Sequence, residues 1–203
     1  MMALLDTSQD LDACAAELDN NVGQLITSHK RPLRDPTRPW AIDNRAFTGF
    51  EADAFLALLA RYAPHRDGCL FVTVPDVVGS ARRTLEVFER WAPRLAGWRL
   101  ALACQDRQED LPLPWDAIDA VFIGGSTNWK GSLYAVQIIQ AAQLLGKHVH
   151  VGRVNGAARW RHFEGLGVDT CDGSGIARYS TWREAIAERH DQGVMFGNEQ
   201  ARI

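Results

Sequence analysis

The feature that most constrains this chain is the regular alternation of short apolar runs with longer amphipathic stretches. Candidate strands lie at residues 22–27, 40–43, 69–76, 98–105, 120–125, 148–154 and 168–172. Candidate helices lie at residues 10–20, 50–63, 79–95, 131–146, 158–167 and 180–193. In the stretch 50–63, apolar residues recur near the 3.6-residue helical period, and Gly-Ser pairs begin the stretches 79–95 and 131–146. The stretch 10–20 is expected to form a helix that precedes the first strand.

Strands that read as near-continuous apolar runs between helices indicate a parallel sheet covered by helices. Seven or eight such units predict an α/β fold, a compact (β/α)8-type barrel that allows for an irregular or missing unit. We expect one domain over residues 1–203. A doubly wound open sheet is the alternative. It is disfavoured because no G-x-G-x-x-G follows the first predicted strand and no G-x-x-x-x-G-K-[ST] occurs.

Composition narrows the class of protein. No run approaches the roughly 18 consecutive apolar residues of a membrane span, and acidic residues near the N-terminus argue against a signal peptide. We therefore expect a cytoplasmic protein without membrane partners. The net charge of −3 is not typical of a nucleic-acid-binding protein, although residues 29–38 and 153–162 form basic clusters. The four cysteines show no C-x-x-C and no ligand-spaced His, so we expect no metal site and no disulfide framework.

Polar residues follow six consecutive predicted strands. The carboxyl ends of parallel strands meet on one face of a barrel, and active sites gather there. In chain order these residues are Asp43 and Asn44, Asp76, Gln105 and Asp106, Gly124 to Ser126, Arg153 and Asn155, and Asp172. A single Asp in such a position more often caps the following helix. A whole rim of carboxylates with an amide and a Gly-Gly pair indicates a binding or catalytic site.

The residue types at this rim favour carboxylate chemistry. No Ser or Cys has an evident His partner, and His148 and His150 lie within an apolar strand, which favours a role in the core. Two opposed carboxylates are the arrangement for double displacement at a sugar C1′. An Asp, a Gln amide and a backbone N–H have the donors and acceptors to read the Watson–Crick edge of guanine.

Five segments resemble, in order along the chain, motifs of the tRNA-guanine transglycosylase superfamily. The likeness is closest to its small phage and bacterial branch, which exchanges guanine in DNA for a 7-deazaguanine. The segments are AIDNRAFTGF (41–50), VTVPD (72–76), ACQD (103–106), FIGGS (122–126) and GVDTCDG (167–173). The chain lacks the Cys-rich zinc site of the tRNA enzymes, which favours DNA over tRNA as the substrate.

The resemblance implies a role for each matching residue. Asp172 would be the covalent nucleophile, Asp43 the general acid/base, and Asp169 a structural residue. The residues implied to bind the base are Asp76, Gln105, Gly124, Gly125 and Asn44. The candidates for phosphate or sugar contacts are Lys130, Arg153, Asn155 and Arg178.

The expected partners are therefore DNA and a free 7-deazaguanine base such as the 7-cyano form. No cofactor is needed, and the acidic net charge leaves room for a helper protein that opens the strands. Two alternatives stay open. One is a glycosylase or nucleoside deoxyribosyltransferase that uses the same carboxylates on small nucleosides. The other is a non-catalytic nucleic-acid-binding subunit, because a fold alone does not fix a function.

Overall fold

The chain forms a closed barrel of eight parallel β-strands surrounded by helices. The computed structural model describes residues 1–7, 9–29 and 32–197, with side chains described as far as residue 188. Each strand pairs with its neighbour in chain order, and β8 pairs with β1, so the predicted (β/α)8 barrel is confirmed. The strands are β1 (Met2–Asp6), β2 (Val22–Ile26), β3 (Trp40–Ile42), β4 (Cys69–Thr73), β5 (Leu100–Cys104), β6 (Ala120–Ile123), β7 (His148–Val151) and β8 (Thr170–Cys171).

Helices connect most of the strands. They are α1 (Leu11–Glu17), α2 (Ala52–Tyr62), α3 (Ala81–Trp91), α4 (Thr127–Lys130), α5 (Leu133–Leu144), α6 (Ala157–Gly165), α7 (Ser174–Arg178) and α8 (Ser180–Gly197). The Gly-Ser signals are confirmed, because Ser80 caps α3 and Ser132 caps α5 through their side-chain oxygens. No helix in the described part of the chain is both long and apolar enough to span a membrane.

The prediction that a helix precedes the first strand is wrong. Met2–Asp6 forms β1, which lies between β2 and β8 and closes the barrel. Met2 N donates to Asp169 O over 2.9 Å, and Ala3 N donates to Asn21 O over 2.9 Å. This short apolar run cannot be assigned by periodicity, and its pairing with strands on both sides decides its conformation.

Two units of the barrel are irregular, as the prediction allowed. Between β5 and β6 the chain forms only short 3-10 turns, at Gln108–Asp110 and Trp115–Ala117. The described residues between β2 and β3 contain no helix. The buried Gln24 side chain holds this connection instead. Its Oε1 accepts from Arg34 N at 2.9 Å and Asp35 N at 3.2 Å, and its Nε2 donates to Asp35 O at 2.6 Å. A buried amide thus satisfies backbone groups that a helix would otherwise pair.

The barrel interior is packed at its lower end and polar at its upper end. A buried cluster of Leu4, Ala41, Phe71, Ala101 and Ala120 fills the lower part. Because alternate residues of a strand face the same side, the positions two residues further along β1 and β3 bring Asp6 and Asp43 to the upper, carboxyl end. The outward-facing residues pack against the helices in a second, larger apolar core.

Candidate active site

The carboxyl ends of the strands open into a cavity of about 540 Å3. Residues that follow each of the eight strands contribute to its wall. The polar lining residues include Asp6, Asp43, Asn44, Asp76, Gln105, Arg153, Asn155, Asp172 and Arg178. The structure therefore brings together most of the residues that the sequence placed on one rim.

Asp172 directly follows β8 and is held by two N–H donors. Its Oδ1 accepts from Arg153 N at 2.9 Å, and its Oδ2 lies 3.1 Å from His150 Nε2. Its side chain is 19% exposed, toward the cavity. Hydrogen bonds to both oxygens fix the carboxylate and leave further lone pairs for a substrate.

A chain of hydrogen bonds leads from the barrel interior to Asp172. His148 Nε2 lies 2.8 Å from Thr170 Oγ1, which lies 2.9 Å from His150 Nδ1. If His150 Nε2 carries the proton that faces Asp172, its Nδ1 must accept the single hydroxyl proton of Thr170. Thr170 Oγ1 must then accept from His148 Nε2–H. This pair of tautomers satisfies all three contacts.

Burial keeps His148 neutral, at the lower end of this chain of hydrogen bonds. Burial lowers the pKa of His148 to about 4, although Asp169 opposes the shift. His150 is fully buried, with Phe122 and Phe71 ring centroids at 4.5 and 5.1 Å. Aromatic packing and a defined tautomer hold the imidazole rigidly beneath Asp172.

Asp43 follows β3 and has a different environment from Asp172. Burial and the negative charges of Asp172 and Asp76 together raise the pKa of Asp43 to about 7. Backbone hydrogen bonds from Arg45 and Asn44 oppose this shift. Asp43 therefore exchanges a proton near neutral pH, as a general acid/base requires.

Two residues with left-handed backbone aim N–H groups at these carboxylates. Arg45 has a φ of 64° and hydrogen-bonds Asp43, and Arg153 has a φ of 57° and donates to Asp172. Such conformations are uncommon for residues other than Gly, and they cluster at functional sites.

Asp76 lies within a network of side-chain amides. Asn44 Nδ2 donates to Asp76 Oδ1 at 2.8 Å, and Gln105 Nε2 donates to Asp76 Oδ2 at 2.7 Å. The amide oxygens are also fixed, because Ala46 N donates to Asn44 Oδ1 at 2.6 Å and Gly79 N to Gln105 Oε1 at 3.0 Å. Burial raises the pKa of Asp76, and these two amide donors oppose the shift. Three residues at consecutive strand ends thus form one rigid polar surface.

The Gly-Gly pair after β6 differs from the sequence expectation. Gly124 lines the cavity, where a Cβ would lie 3.1 Å from Gln105 Nε2. Gly125 instead packs against Trp129 and Asp106. Both glycines donate their N–H groups to Cys104 O, at 2.9 and 3.1 Å. The expected contact from the Gly125 N–H to a base is therefore not available in this structure, because barrel hydrogen bonding already uses that group.

The four predicted phosphate contacts occupy different environments. Arg153 NH2 donates to Gly124 O and Gly125 O at 2.8 and 3.0 Å, and its guanidinium lies 4.4 Å over the Phe47 ring. Asn155 and Arg178 are exposed at the cavity rim. Lys130 is 4% exposed, and its Nζ donates to Gly152 O. Lys130 is therefore not an exposed contact on the rim of this cavity, and it lines a smaller cavity instead.

Several site residues escaped the sequence analysis. Asp6 was missed because β1 was not predicted, and Phe47 because its exposed ring depends on a loop conformation. His150 and Thr170 were missed as parts of the site because their strand was interpreted as core. The sequence contains one signal for them, which is their spacing. Thr170 and Asp172 are two residues apart, as are His148 and His150, and residues two apart on a strand face the same side. Each pair therefore faces the barrel interior.

Asp169 lies at the other end of β8. Its Oδ2 accepts from Val149 N at 2.8 Å and lies 3.9 Å from His148 Nδ1. This contact joins β7 to β8, as expected of a structural residue. Within the part of the chain that the structure describes, no three His, Cys, Asp or Glu side chains are grouped to hold a metal ion.

Comparison with known proteins supports the barrel fold. No protein-family model matches the chain, and no curated protein matches it. The chain is similar to an oxidized active mutant of (S)-mandelate dehydrogenase, with a TM-score of 0.54 and 12% identity over 93% of this chain and 72% of that one. It is also similar to KGPDC from Streptococcus mutans, with a TM-score of 0.50 and 14% identity over 94% and 96% of the two chains.

The first structural matches are longer than this chain. It spans 55% of a Silicibacter pomeroyi protein described as a glycerophosphoryl diester phosphodiesterase, with a TM-score of 0.42 and 16% identity over 89% of this chain. At such identities a likeness shows the fold alone. The chemistry has to be argued from the residues in the cavity.

Proposed function

We propose that this barrel is a DNA base-exchange enzyme that replaces guanine with a 7-deazaguanine derivative through a covalent Asp172–deoxyribose intermediate. The observation that carries the proposal is the presence of two carboxylates with different environments in one cavity. Hydrogen bonds fix Asp172 from two sides, and the pKa of Asp43 is raised to about 7. Divergent environments of this kind separate an attacking carboxylate from a proton-transferring one.

The proposed reaction is a double displacement. Asp172 attacks C1′ of a deoxyguanosine unit that has left the base stack, the C1′–N9 bond breaks, and the departing guanine takes a proton from Asp43. The incoming base gives its N9 proton to Asp43 and attacks C1′, and Asp172 is released. Two inversions give net retention. One glycosidic bond replaces another, so the reaction balances without an oxidant, a reductant or ATP.

The amide network supports recognition of a guanine-like base. Asp76 retains acceptor capacity beside its bonds to Asn44 and Gln105, and it can accept from the N1–H and exocyclic amine of guanine. Phe47, which is 64% exposed and lines the cavity, offers a ring on which a base can stack. Guanine and 7-deazaguanines share this hydrogen-bonding edge, so one pocket serves the leaving and the entering base.

A second candidate is a glycosylase or deoxyribosyltransferase that acts on small nucleosides. The cavity of about 540 Å3 favours it to the extent that a whole nucleoside fits such a volume. The two candidates differ in whether labelled base enters a polymer or a free nucleoside.

The test is incubation with DNA and radiolabelled guanine, followed by counting the label retained in the polymer. We expect incorporation by the unchanged protein and none by Asp172→Asn, because an amide cannot attack C1′ as an anion. The covalent protein–DNA adduct should disappear with it.

Asp169→Asn is the matched control, since it makes the same change at the opposite end of β8 and the amide oxygen can still accept from Val149 N. We expect this variant to keep its activity. Normal turnover by Asp172→Asn would remove that residue from the role of nucleophile. With deoxyguanosine added beside the DNA, label that enters the nucleoside and not the polymer would favour the second candidate.

A further inference from the structure

A second cavity, of about 190 Å3, lies beside the first, between the segment that follows β6 and helix α6. Its polar lining residues are Thr127, Lys130, Arg153, Arg159 and His162. Among the residues that the structure describes, no Asp or Glu lines it. Three cationic side chains, an imidazole and a hydroxyl thus face one small space.

Lys130 makes this cavity more than a basic surface patch. It is 4% exposed, its Nζ donates to the backbone oxygen of Gly152, and one ammonium can donate three hydrogen bonds. In the described ranges 1–7, 9–29 and 32–188, no carboxylate lies within ion-pair distance of its Nζ. A buried cation without a paired anion is costly, and a bound anion offsets that cost.

Lys130, Arg153 and Arg159 line the same small cavity, so their positive charges repel one another. Burial, together with the positive charges of Arg153 and Arg159, lowers the pKa of Lys130 to about 8, while Asp172 and Asp106 oppose the shift. The repulsion among these three cations is relieved when a negatively charged group enters between them.

Arg153 joins the two cavities, since it lines both. Its guanidinium is fixed by Gly124 O and Gly125 O and covers the Phe47 ring. A ligand with its base in the large cavity therefore has a cationic space next to its sugar.

We propose that the second cavity binds a phosphate group of the same nucleotide unit whose base occupies the large cavity. The substrate class is then a phosphorylated guanine nucleotide unit rather than a free nucleoside. This inference rests on the proposed function only in placing a guanine nucleoside in the large cavity. Lys130, Arg153 and Arg159 supply the charge, and Thr127 and His162 supply further hydrogen-bonding groups.

The test compares equilibrium binding of deoxyguanosine, dGMP and a short single-stranded oligodeoxynucleotide containing one guanine. We expect dGMP to bind at least about tenfold more tightly than deoxyguanosine, and inorganic phosphate to compete with dGMP. Arg159→Gln should remove most of this difference by weakening dGMP binding, with deoxyguanosine binding unchanged. Arg159→Lys should retain most of it.

Arg161→Gln is the matched control, because Arg161 lies on the same helix and does not line the cavity. It should leave the affinities for all three ligands unchanged. For the oligodeoxynucleotide, Arg159→Gln should also lower the salt dependence of binding by about one phosphate contact.

Two sources of phosphate are distinguished by the same measurements. Tighter binding of the oligodeoxynucleotide than of dGMP assigns the cavity to a phosphodiester of the polymer, and equal binding assigns it to a terminal monophosphate. Equal affinity for deoxyguanosine and dGMP would overturn the inference, whatever the exchange assay shows. Conversely, Arg159-dependent binding of dGMP without any exchange of label would refute the proposed reaction and leave the phosphate site standing.

Discussion

Asp43 carries a cost in stability that its proposed role explains. A carboxyl whose folded pKa is about 7, against about 3.9 when unfolded, binds more protons in the folded state between these values. The free energy of unfolding therefore falls as the pH rises from about 4 to about 7, and the loss persists at higher pH. An acid/base group that must titrate near neutrality brings this penalty with it.

Asp43→Asn should accordingly stabilise the protein at pH 8 and change little at pH 4. We expect the free energy of unfolding to rise by about 2–4 kcal/mol at pH 8. One pKa unit corresponds to about 1.4 kcal/mol, and the contact of the side chain with the cavity reduces the full value. Urea unfolding of both proteins at pH 4 and pH 8 measures this difference in the free energy of unfolding. The exposed Asp67 gives the control, because Asp67→Asn should have a similarly small effect at both. A destabilised Asp43→Asn protein at pH 8 would contradict the buried, protonatable carboxyl.

Thr170 positions Asp172 through His150, without touching the cavity itself. Thr170→Val removes the hydroxyl that contacts His150 Nδ1, so the ring is free to place its proton on Nδ1 and turn a lone pair toward Asp172. We expect the exchange rate to fall by on the order of tenfold or more, as when a catalytic imidazole loses its correct tautomer.

Thr170→Ser retains the hydroxyl and should restore most of the rate. The ¹⁵N NMR shifts of the His150 ring separate positioning from packing, because the Val variant should change the tautomer and the Ser variant should not. A Val variant with an unchanged tautomer and an unchanged rate would show that the chain of hydrogen bonds does not affect Asp172.

The turns after β7 and β8 depend on a close backbone approach at Gly173. A Cβ at this position would collide with the carbonyl group of Val154, and Val154 N in turn donates to Asp172 O at 2.6 Å. The two turns that carry Arg153 and Asp172 are therefore packed directly against each other. A side chain at Gly173 would force them apart and move both Arg153 and Asp172.

Gly173→Ala should lower the free energy of unfolding by about 1–3 kcal/mol, the usual cost of overpacking, and should reduce base exchange as well. Gly165→Ala is the matched control, because a Cβ there would meet nothing within 4 Å and Gly165 lies in α6. That change should stabilise the protein slightly, by up to about 1 kcal/mol, through helix propensity. Equal effects of the two substitutions would show that the turns can separate freely.

Arg183 connects helices α7 and α8 to α1, near the place where β8 pairs with β1. Its Nε and NH2 donate to the two carboxylate oxygens of Glu17 at 2.8 and 3.2 Å. Its NH1 donates to Ile176 O and Ala177 O at 2.8 and 3.0 Å. One guanidinium thus joins α1, α7 and α8, whereas an ammonium lacks this planar arrangement of donors.

Arg183→Lys should lower the free energy of unfolding by about 1–3 kcal/mol, because buried carbonyl groups lose their donors. The exposed Arg82 gives the control, and Arg82→Lys should have little effect. The hydrogen bond from Arg183 lowers the pKa of Glu17, so its contribution is present above the ordinary pKa of Glu and is lost as the pH falls through the lowered value. The difference between Arg183→Lys and the unchanged protein should therefore shrink under acidic conditions. Equal unfolding midpoints for the two proteins at neutral pH would contradict this role.

The amino-acid sequence by itself determined the class of fold and the face on which the site lies. Period-2 and period-3.6 patterns are local properties, so alternating strands and helices could be read without a structure. Ser80 and Ser132 marked two helix starts for the same reason, since a cap depends on neighbouring residues. Once parallel strands were predicted, the polar residues at their ends had to share one rim.

The tertiary structure decided what depends on partners far apart in the chain. Met2–Asp6 is a strand because β2 and β8 pair with it, and that pairing also brings Asp6 to the cavity. The raised pKa of Asp43 results from burial and from the charge of Asp172, which lies far along the chain. Lys130 is buried rather than exposed because the turn after β7 supplies the carbonyl of Gly152. Burial and long-range hydrogen bonding exist only in the closed barrel, and for that physical reason local pattern cannot predict them.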